Sequence, residues 1–300
     1  MRTIDPDVDG HRMERLVHKM EAILDRLEKL LPGQTAETDW NALAWRWQQH
    51  HGQGYLQAVT HPHRIRLDAL HHLDEQKAKI VRNTEQFVRG LPANNVLLTG
   101  ARGTGKSSLV KALLTEFASQ GLRLVEVDKQ DLHALPQIVE LIRSRPERFI
   151  IFCDDLSFEA GDSGYKALKV VLDGTLAATS DNVLVYATSN RRNLLPEYMS
   201  ENLETRYVGD EIRPGDSTEE KISLSERFGL WLSFYAFSQD QYLQIAQSWL
   251  SAHGVTQWDD EVRLAALQFA QERGMRSGRV AYQFARDYAG RLGLEQSKQK

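Results

Sequence analysis

The chain has 300 residues, 41% of them hydrophobic and 26% charged, with a formal net charge of −4. This is a globular composition with enough chain for an ordinary core, and it excludes a nucleic-acid binder that works through global basic excess. A single cysteine, Cys153, excludes an intramolecular disulfide framework and fits a reducing compartment.

The first residues carry no apolar signal region. No run approaches the roughly 18 apolar residues that span a bilayer. The expectation is a cytoplasmic protein with no membrane insertion.

Along the chain, Met13, Leu16, Met20, Ile23, Leu27 and Leu30 recur three and four residues apart, and Pro32-Gly33 ends the pattern. This spacing fits a short coiled coil between subunits, or an amphipathic helix lying on its own protein. Trp40, Trp45 and Trp47 read as core or interface anchors. His50, His51, His61, His63, His71 and His72 follow, with neither an accompanying Cys nor an HExxH pattern. They read as surface or packing histidines rather than metal ligands. Residues 1–62 are accordingly expected to form an N-terminal helical region.

Beyond this the pattern alternates. Apolar runs at Val96–Leu98, Leu122–Val127, Phe149–Cys153, Val183–Ala187 and Leu230–Phe237 read as buried strands. Helical spacing lies between several of them, as at Leu135–Ile142 and Tyr165–Leu176. Such alternation implies an α/β fold with a parallel sheet and right-handed crossovers. After Phe237 the chain turns helical again, over Asp240–Leu250, Asp260–Gln271 and Arg279–Leu292.

The first apolar run leads into Gly100-Ala101-Arg102-Gly103-Thr104-Gly105-Lys106-Ser107-Ser108, a full GxxxxGK(S/T) pattern between a strand and a helix. The chemistry needs these residue types. Glycines let the loop close around phosphates, and successive backbone N–H groups with a helix N-terminus face the anion. Lys106 reaches the outer phosphates, and the Ser107 hydroxyl is a Mg²⁺ ligand. A bound nucleoside triphosphate with Mg²⁺ is the expectation.

The run Phe149–Cys153 ends in Asp154-Asp155. Asp154 at the strand tip is placed to hold Mg²⁺ opposite Ser107. Asp155 is placed to orient or deprotonate a water, and Glu159 is a nearby substitute. The next strand ends in Thr188-Ser189-Asn190. An amide that both donates to phosphate and accepts from water makes Asn190 the first candidate beside the γ-phosphate, with Thr188 and Ser189 as alternatives.

These segments resemble an AAA+ ATPase: Gly100–Ser107 its Walker A, Asp154-Asp155 its Walker B and Ala187–Asn190 its sensor 1. Leu224-Ser-Glu-Arg227-Phe-Gly-Leu230 resembles the arginine-finger segment, and Arg276-Ser-Gly-Arg279-Val-Ala281 resembles sensor 2. The likeness runs over about residues 65–292. The Arg-Phe-Gly and sensor 2 segments look much like those of Holliday-junction branch-migration motors. Leu91-Pro-Ala-Asn-Asn-Val-Leu-Leu98, Phe152-Cys-Asp-Asp-Leu-Ser-Phe-Glu159 and Tyr186–Arg192 resemble an uncharacterised bacterial AAA+ family, domain of unknown function 815.

The resemblance implies a five-stranded parallel AAA+ core over 63–237, an α-helical lid over 238–293 and a polar tail at 294–300. It implies a homo-oligomer, ring or filament, in which Arg227 acts in the neighbouring subunit's site and Arg279 in its own. Arg191 and Arg192 are weaker candidates for a contact between subunits.

An ATP-hydrolysing motor that remodels a protein or nucleic-acid partner is one reading. A nucleotide-gated assembly or scaffold module with slow turnover is the other, kept open by the short carboxylate at Asp155. Asp128–Pro136 lacks the aromatic that threading unfoldases present there, which disfavours protein threading, although Gly161–Tyr165 offers another loop. Residues 197–221, richer in acids than bases, read as a partner-contact insertion or a solvated loop.

Overall fold

The computed structural model describes residues 18–21, 38–50, 52–158, 163–173, 181–190, 206–208, 211–213 and 224–298. In chain order the core elements are β1 (Ala44–His50), β2 (Gln53–Ala58), α1 (Asp74–Val88), β3 (Val96–Gly100), α2 (Lys106–Phe117) and β4 (Leu122–Val127). Then come α3 (Leu135–Ile142), β5 (Arg148–Cys153), α4 (Ser163–Asp173), β6 (Val183–Ser189), β7 (Arg206–Val208), β8 (Glu211–Arg213) and β9 (Leu230–Phe234).

One seven-stranded sheet has the order β2-β1-β4-β5-β6-β3-β9. All of its neighbours run parallel except the β1–β2 pair. The five strands expected from the apolar runs are all present as one parallel set. The runs of the four inner strands, β3 to β6, are nearly continuous because strands covered by helices on both faces must be apolar on both, while β9 at the edge alternates.

On one face α3 and α4 pack Leu135, Ile138, Ile142 and Leu168 against Val125, Phe149, Ile151 and Trp45. On the other, α1 and α2 pack Ile80, Phe87, Leu109, Leu113 and Phe117 against Val96, Leu98, Ile150 and Tyr186. β7 and β8 pair antiparallel as a separate two-stranded sheet within the 197–221 segment.

Two expectations need correction. The sheet has seven strands rather than five, and residues 44–58, expected to be helical, form the β1–β2 hairpin. Trp45 and Trp47 lie two apart, so in a strand both face the same side, and both are buried there. Parallel pairing of β1 with β4 then extends the sheet.

A second contact locks the hairpin. A Cβ on Gly54 would lie 1.9 Å from the Trp47 ring, so the indole lies directly against that backbone. Trp47 has no exposed surface. Trp47→Ala is therefore expected to destabilise the protein by about 3–5 kcal/mol, the usual cost of emptying a buried Trp site. The readout is the urea midpoint at unchanged m; a loss near zero would put the hairpin outside the cooperative unit. Of the two readings, core or interface, Trp45 and Trp47 take the first, and Trp40 packs partly buried against the same core.

The heptad segment, apart from residues 18–21, lies outside the described residues, as do Glu159, Arg191 and Arg192.

Beyond β9 the chain forms α5 (Gln239–Ala252), α6 (Asp260–Glu272) and α7 (Gly278–Lys298). Ser238 and Gln241 make a reciprocal capping box at the start of α5, and the Asp259 carboxylate caps α6 through the Val262 N–H. These helices have their own core, centred on Tyr242, Ala246, Ala266, Ala281 and Phe284. The Tyr242 hydroxyl donates to the Ala266 carbonyl at 3.0 Å, and burial pushes its pKa up to about 12. Among the described residues no helix is long and apolar enough to cross a membrane.

Candidate nucleotide site

The sheet order decides which loops meet. β6 lies between β5 and β3, so the carboxyl ends of β3, β6 and β5 sit side by side. Parallel strands put all three ends on one edge, where open α/β sheets bind ligands. The P-loop leaves β3, Asn190 follows β6, and Asp154 with Asp155 follow β5.

The P-loop backbone needs its glycines. Gly100 has φ +130°, and a Cβ there would stand 1.9 Å from the Phe234 carbonyl of β9. Gly103 has φ +72°, and a Cβ there would come within 2.8 Å of Ser277 Oγ. Both conformations and both close approaches exclude a side chain. The Thr104 hydroxyl donates to the Ala101 carbonyl at 2.8 Å and is buried, bracing the turn.

The loop ends as α2 begins at Lys106, so the first-turn N–H groups that have no intrahelical partner open towards the loop. Ser107 and Ser108 stand in that first turn, both partly buried.

Six polar residues form a continuous chain of bonds. The Lys106 ammonium donates to the carbonyls of Gly100 (2.7 Å) and Ala101 (2.8 Å) and to Asn190 Oδ1 (3.0 Å). The Asn190 amide donates to Asp155 Oδ1. The Asp155 N–H donates to Thr188 Oγ1 at 2.9 Å, and the Thr188 hydroxyl donates to Asp154 Oδ1 at 2.5 Å. Ser107 Oγ donates to the same Asp154 oxygen at 2.6 Å.

Lys106 is 5% exposed. Burial holds its pKa below the usual lysine range, with Asp154 and Asp155 pulling it up and Arg102 and Arg279 pushing it down. Lys106, Arg102 and Arg279 together set three cationic groups against the two carboxylates, an excess that suits an anionic polyphosphate. The Ser107 hydroxyl beside the Asp154 carboxylate is an all-oxygen pair of the kind Mg²⁺ takes. The residues present therefore fit both a triphosphate and its metal.

Asp155 adopts a left-handed backbone, φ 54°. That conformation is uncommon for a residue other than glycine, and the bond from its N–H to Thr188 holds it there. The turn aims the carboxylate back at Asn190 and Arg102. Arg102 Nη2 lies 3.9 Å from Asp155 Oδ2.

The two later arginines fall differently. Ser277 caps α7 through the Val280 N–H at 3.2 Å, and the Gly278 N–H donates to the Gly103 carbonyl at 2.9 Å. The lid is thereby bonded to the P-loop, and a Cβ on Gly103 would lie 3.4 Å from the Arg279 Cβ. Arg279 thus stands over the P-loop from the lid side, with its side chain exposed. Arg227 belongs to a different pair: its Nε donates to Asp173 at the end of α4. Leu224 and Phe228 anchor that segment in the core beneath α4.

Sequence reasoning weighed Thr188 only as an alternative to Asn190. The structure gives it a separate task, holding both Asp154 and the Asp155 backbone. Ser277, buried against Gly103, was not singled out at all. Its signal was the Ser-Gly pair before an apolar helix, a helix-start pattern.

A family described as "Protein of unknown function (DUF815)" matches residues 40–292. No curated protein matches the chain. Among solved structures, the Aeropyrum pernix ORC1 protein in complex with DNA is similar at 16% identity and a TM-score of 0.53, over 75% of this chain and 61% of that one. A variant of Thermotoga maritima RuvB is similar at 14% identity and a TM-score of 0.52, over 77% of this chain and 66% of that one. Another RuvB variant aligns at 16% identity and a TM-score of 0.50, over 74% of this chain and 63% of that one. At such identities the likeness is one of fold, and the chain spans less than two thirds of the length of each of these structures.

Proposed function

The chain belongs to the DUF815 family and has the AAA+ fold, and on that premise we propose that it binds ATP with Mg²⁺ and hydrolyses it. The work done is remodelling or assembly of a protein or nucleic-acid partner by a homo-oligomer, ring or filament, in the cytoplasm. The observation that carries the reading is the unbroken run of bonds from Lys106 through Asn190, Asp155 and Thr188 to Asp154 and Ser107. It links the cation, the polar γ-phosphate residue, the water-orienting carboxylate and the metal ligands of one phosphate site.

In this reading the P-loop amides and Lys106 bind the phosphates, and Ser107 and Asp154 hold Mg²⁺. The metal, when bound, neutralises charge on the transferred phosphoryl group. Asp155 orients the attacking water and takes its proton. Asn190 touches both that carboxylate and Lys106, which suits a residue that senses the γ-phosphate. Arg279 acts within its own subunit from the lid, and Arg227 in the site of a neighbour. The division is a core over 63–237, extended by the β1–β2 hairpin, with a lid over 238–293.

Arg227→Ala tests the shared site. It is expected to keep ATP affinity within a few-fold and to lower turnover in the assembled state by about 10³-fold, the scale of an arginine finger. Normal turnover of the assembled variant would remove the role between subunits.

A second reading, a nucleotide-gated assembly module with slow turnover, is favoured by one feature. Asp155 is short, and its Oδ1 already accepts from Asn190. Steady-state ATPase measurements, with particle size in ATP, ADP and neither, separate the two. Robust turnover rejects the gated module; nucleotide-dependent assembly with negligible turnover rejects the motor.

A further inference from the structure

We propose that Arg102, on the crest of the P-loop, is a specificity-determining residue that reads the γ-phosphate within its own subunit, exchanging the Asp155 carboxylate for it. The inference rests on the ATP reading above and adds a side-chain role to a position that the P-loop pattern leaves variable.

The geometry points to it in three steps. First, the carboxylate of Asp155 has fixed surroundings. Its backbone is held left-handed by the bond to Thr188, its Oδ1 accepts from Asn190, and its Oδ2 faces Arg102 Nη2 at 3.9 Å. The two groups that flank this carboxylate are thus one amide and one guanidinium, the donors a phosphate oxygen also takes.

Second, the Arg102–Asp155 pair is loose. Its side chains are 69% and 58% exposed, so water competes for both and little holds them together. A γ-phosphate carries more charge and more acceptor oxygens than one carboxylate, and the planar guanidinium matches it at least as well.

Third, Arg102 is free to turn. Its side chain is exposed, and among the described residues its one ion pair is with Asp155. It stands on the same loop as Lys106, whose ammonium is bonded to Gly100, Ala101 and Asn190. Two like charges converging on one loop make a place for an anion between them. The backbone of the P-loop contacts the inner phosphates whichever nucleotide is present, so a residue beside Asp155 distinguishes ATP from ADP. Moving Arg102 to the phosphate also leaves Asp155 to the water.

The test compares binding of the β,γ-imido analogue of ATP with binding of ADP, with Mg²⁺, in the full chain and in Arg102→Ala and Arg102→Lys. For Arg102→Ala, affinity for the triphosphate analogue is expected to fall about 10-fold or more, the scale of one charge-assisted hydrogen bond, while ADP affinity changes less than about 2-fold. Arg102→Lys should restore part of the preference, since it keeps the charge without the fork.

An equal loss for both nucleotides would show a role in loop structure only and overturn the inference. So would a triphosphate preference that survives in Arg102→Ala; in that case the ATP reading stands and only the role of Arg102 falls. If the unsubstituted chain bound neither nucleotide, the ATP reading itself would fall, and this inference with it.

Discussion

Lys106→Met is expected to lose nucleotide binding by roughly 10²–10⁴-fold. The ammonium makes three hydrogen bonds of 2.7–3.0 Å from a nearly buried position. Moving even two charge-assisted donors from phosphate to nothing costs about 3–6 kcal/mol, and each 1.4 kcal/mol is tenfold in affinity. Methionine keeps the length and the packing, so the helix that starts at Lys106 should persist and the melting temperature without nucleotide should shift little. A fluorescent ATP analogue titrated against both proteins reads the difference. Retained affinity in Lys106→Met would mean that the phosphates are held elsewhere.

Asp155→Asn should do the opposite. Shape and acceptor oxygen are kept, and the Asp155 N–H bond to Thr188 is untouched, so ATP affinity should stay within about threefold. Turnover should fall by roughly 10²–10⁴-fold, the usual contribution of a general base. The measurement is the ratio of turnover to affinity in the same preparation. An unchanged rate would assign the water to another group, with Glu159 next to test. A fall in affinity equal to the fall in rate would mark Asp155 as a binding residue instead. Because Thr188 organises both acids, the phosphate and water roles are coupled, and effects of neighbouring substitutions should not add.

The phosphate site was legible where chemistry and chain are contiguous. Gly100–Ser107 carries the loop, the cation and the hydroxyl of the proposed site within eight residues, and the flanking patterns already placed it between a strand and a helix. The four inner parallel strands, β3 to β6, were legible for a related reason: burial on both faces leaves an apolar run, whereas β9 at the sheet edge alternates and exposes Trp231. The β1–β2 hairpin was not. Its residues alternate between core and solvent, its turn is polar, and two tryptophans two apart can anchor a helix or a strand until something stands opposite them. What stands opposite is Gly54 for one and β4 for the other, neither visible from local spacing.

The remaining lessons are about neighbours distant in the chain. Asp154 and Asp155 are adjacent in sequence yet take different tasks, because the left-handed turn at Asp155 sends its carboxylate away from Ser107 and towards Asn190 and Arg102. Arg279 comes to the P-loop through the bond from Gly278 to Gly103, across more than half the chain. Arg227 is paired with Asp173.

The sequence by itself determined that a full P-loop pattern lies between a strand and a helix, which lysine and hydroxyl belong to it, and that an α/β core is followed by helices. These follow from local backbone freedom and periodicity, which need no partner. Only the tertiary structure decided that the sheet gains a tryptophan-anchored hairpin, that Thr188 binds the two acids together, and that Arg102 faces Asp155. Those depend on the strand order, which sets the ends of β3, β6 and β5 side by side, and strand order is a property of the whole packed chain rather than of any stretch of it.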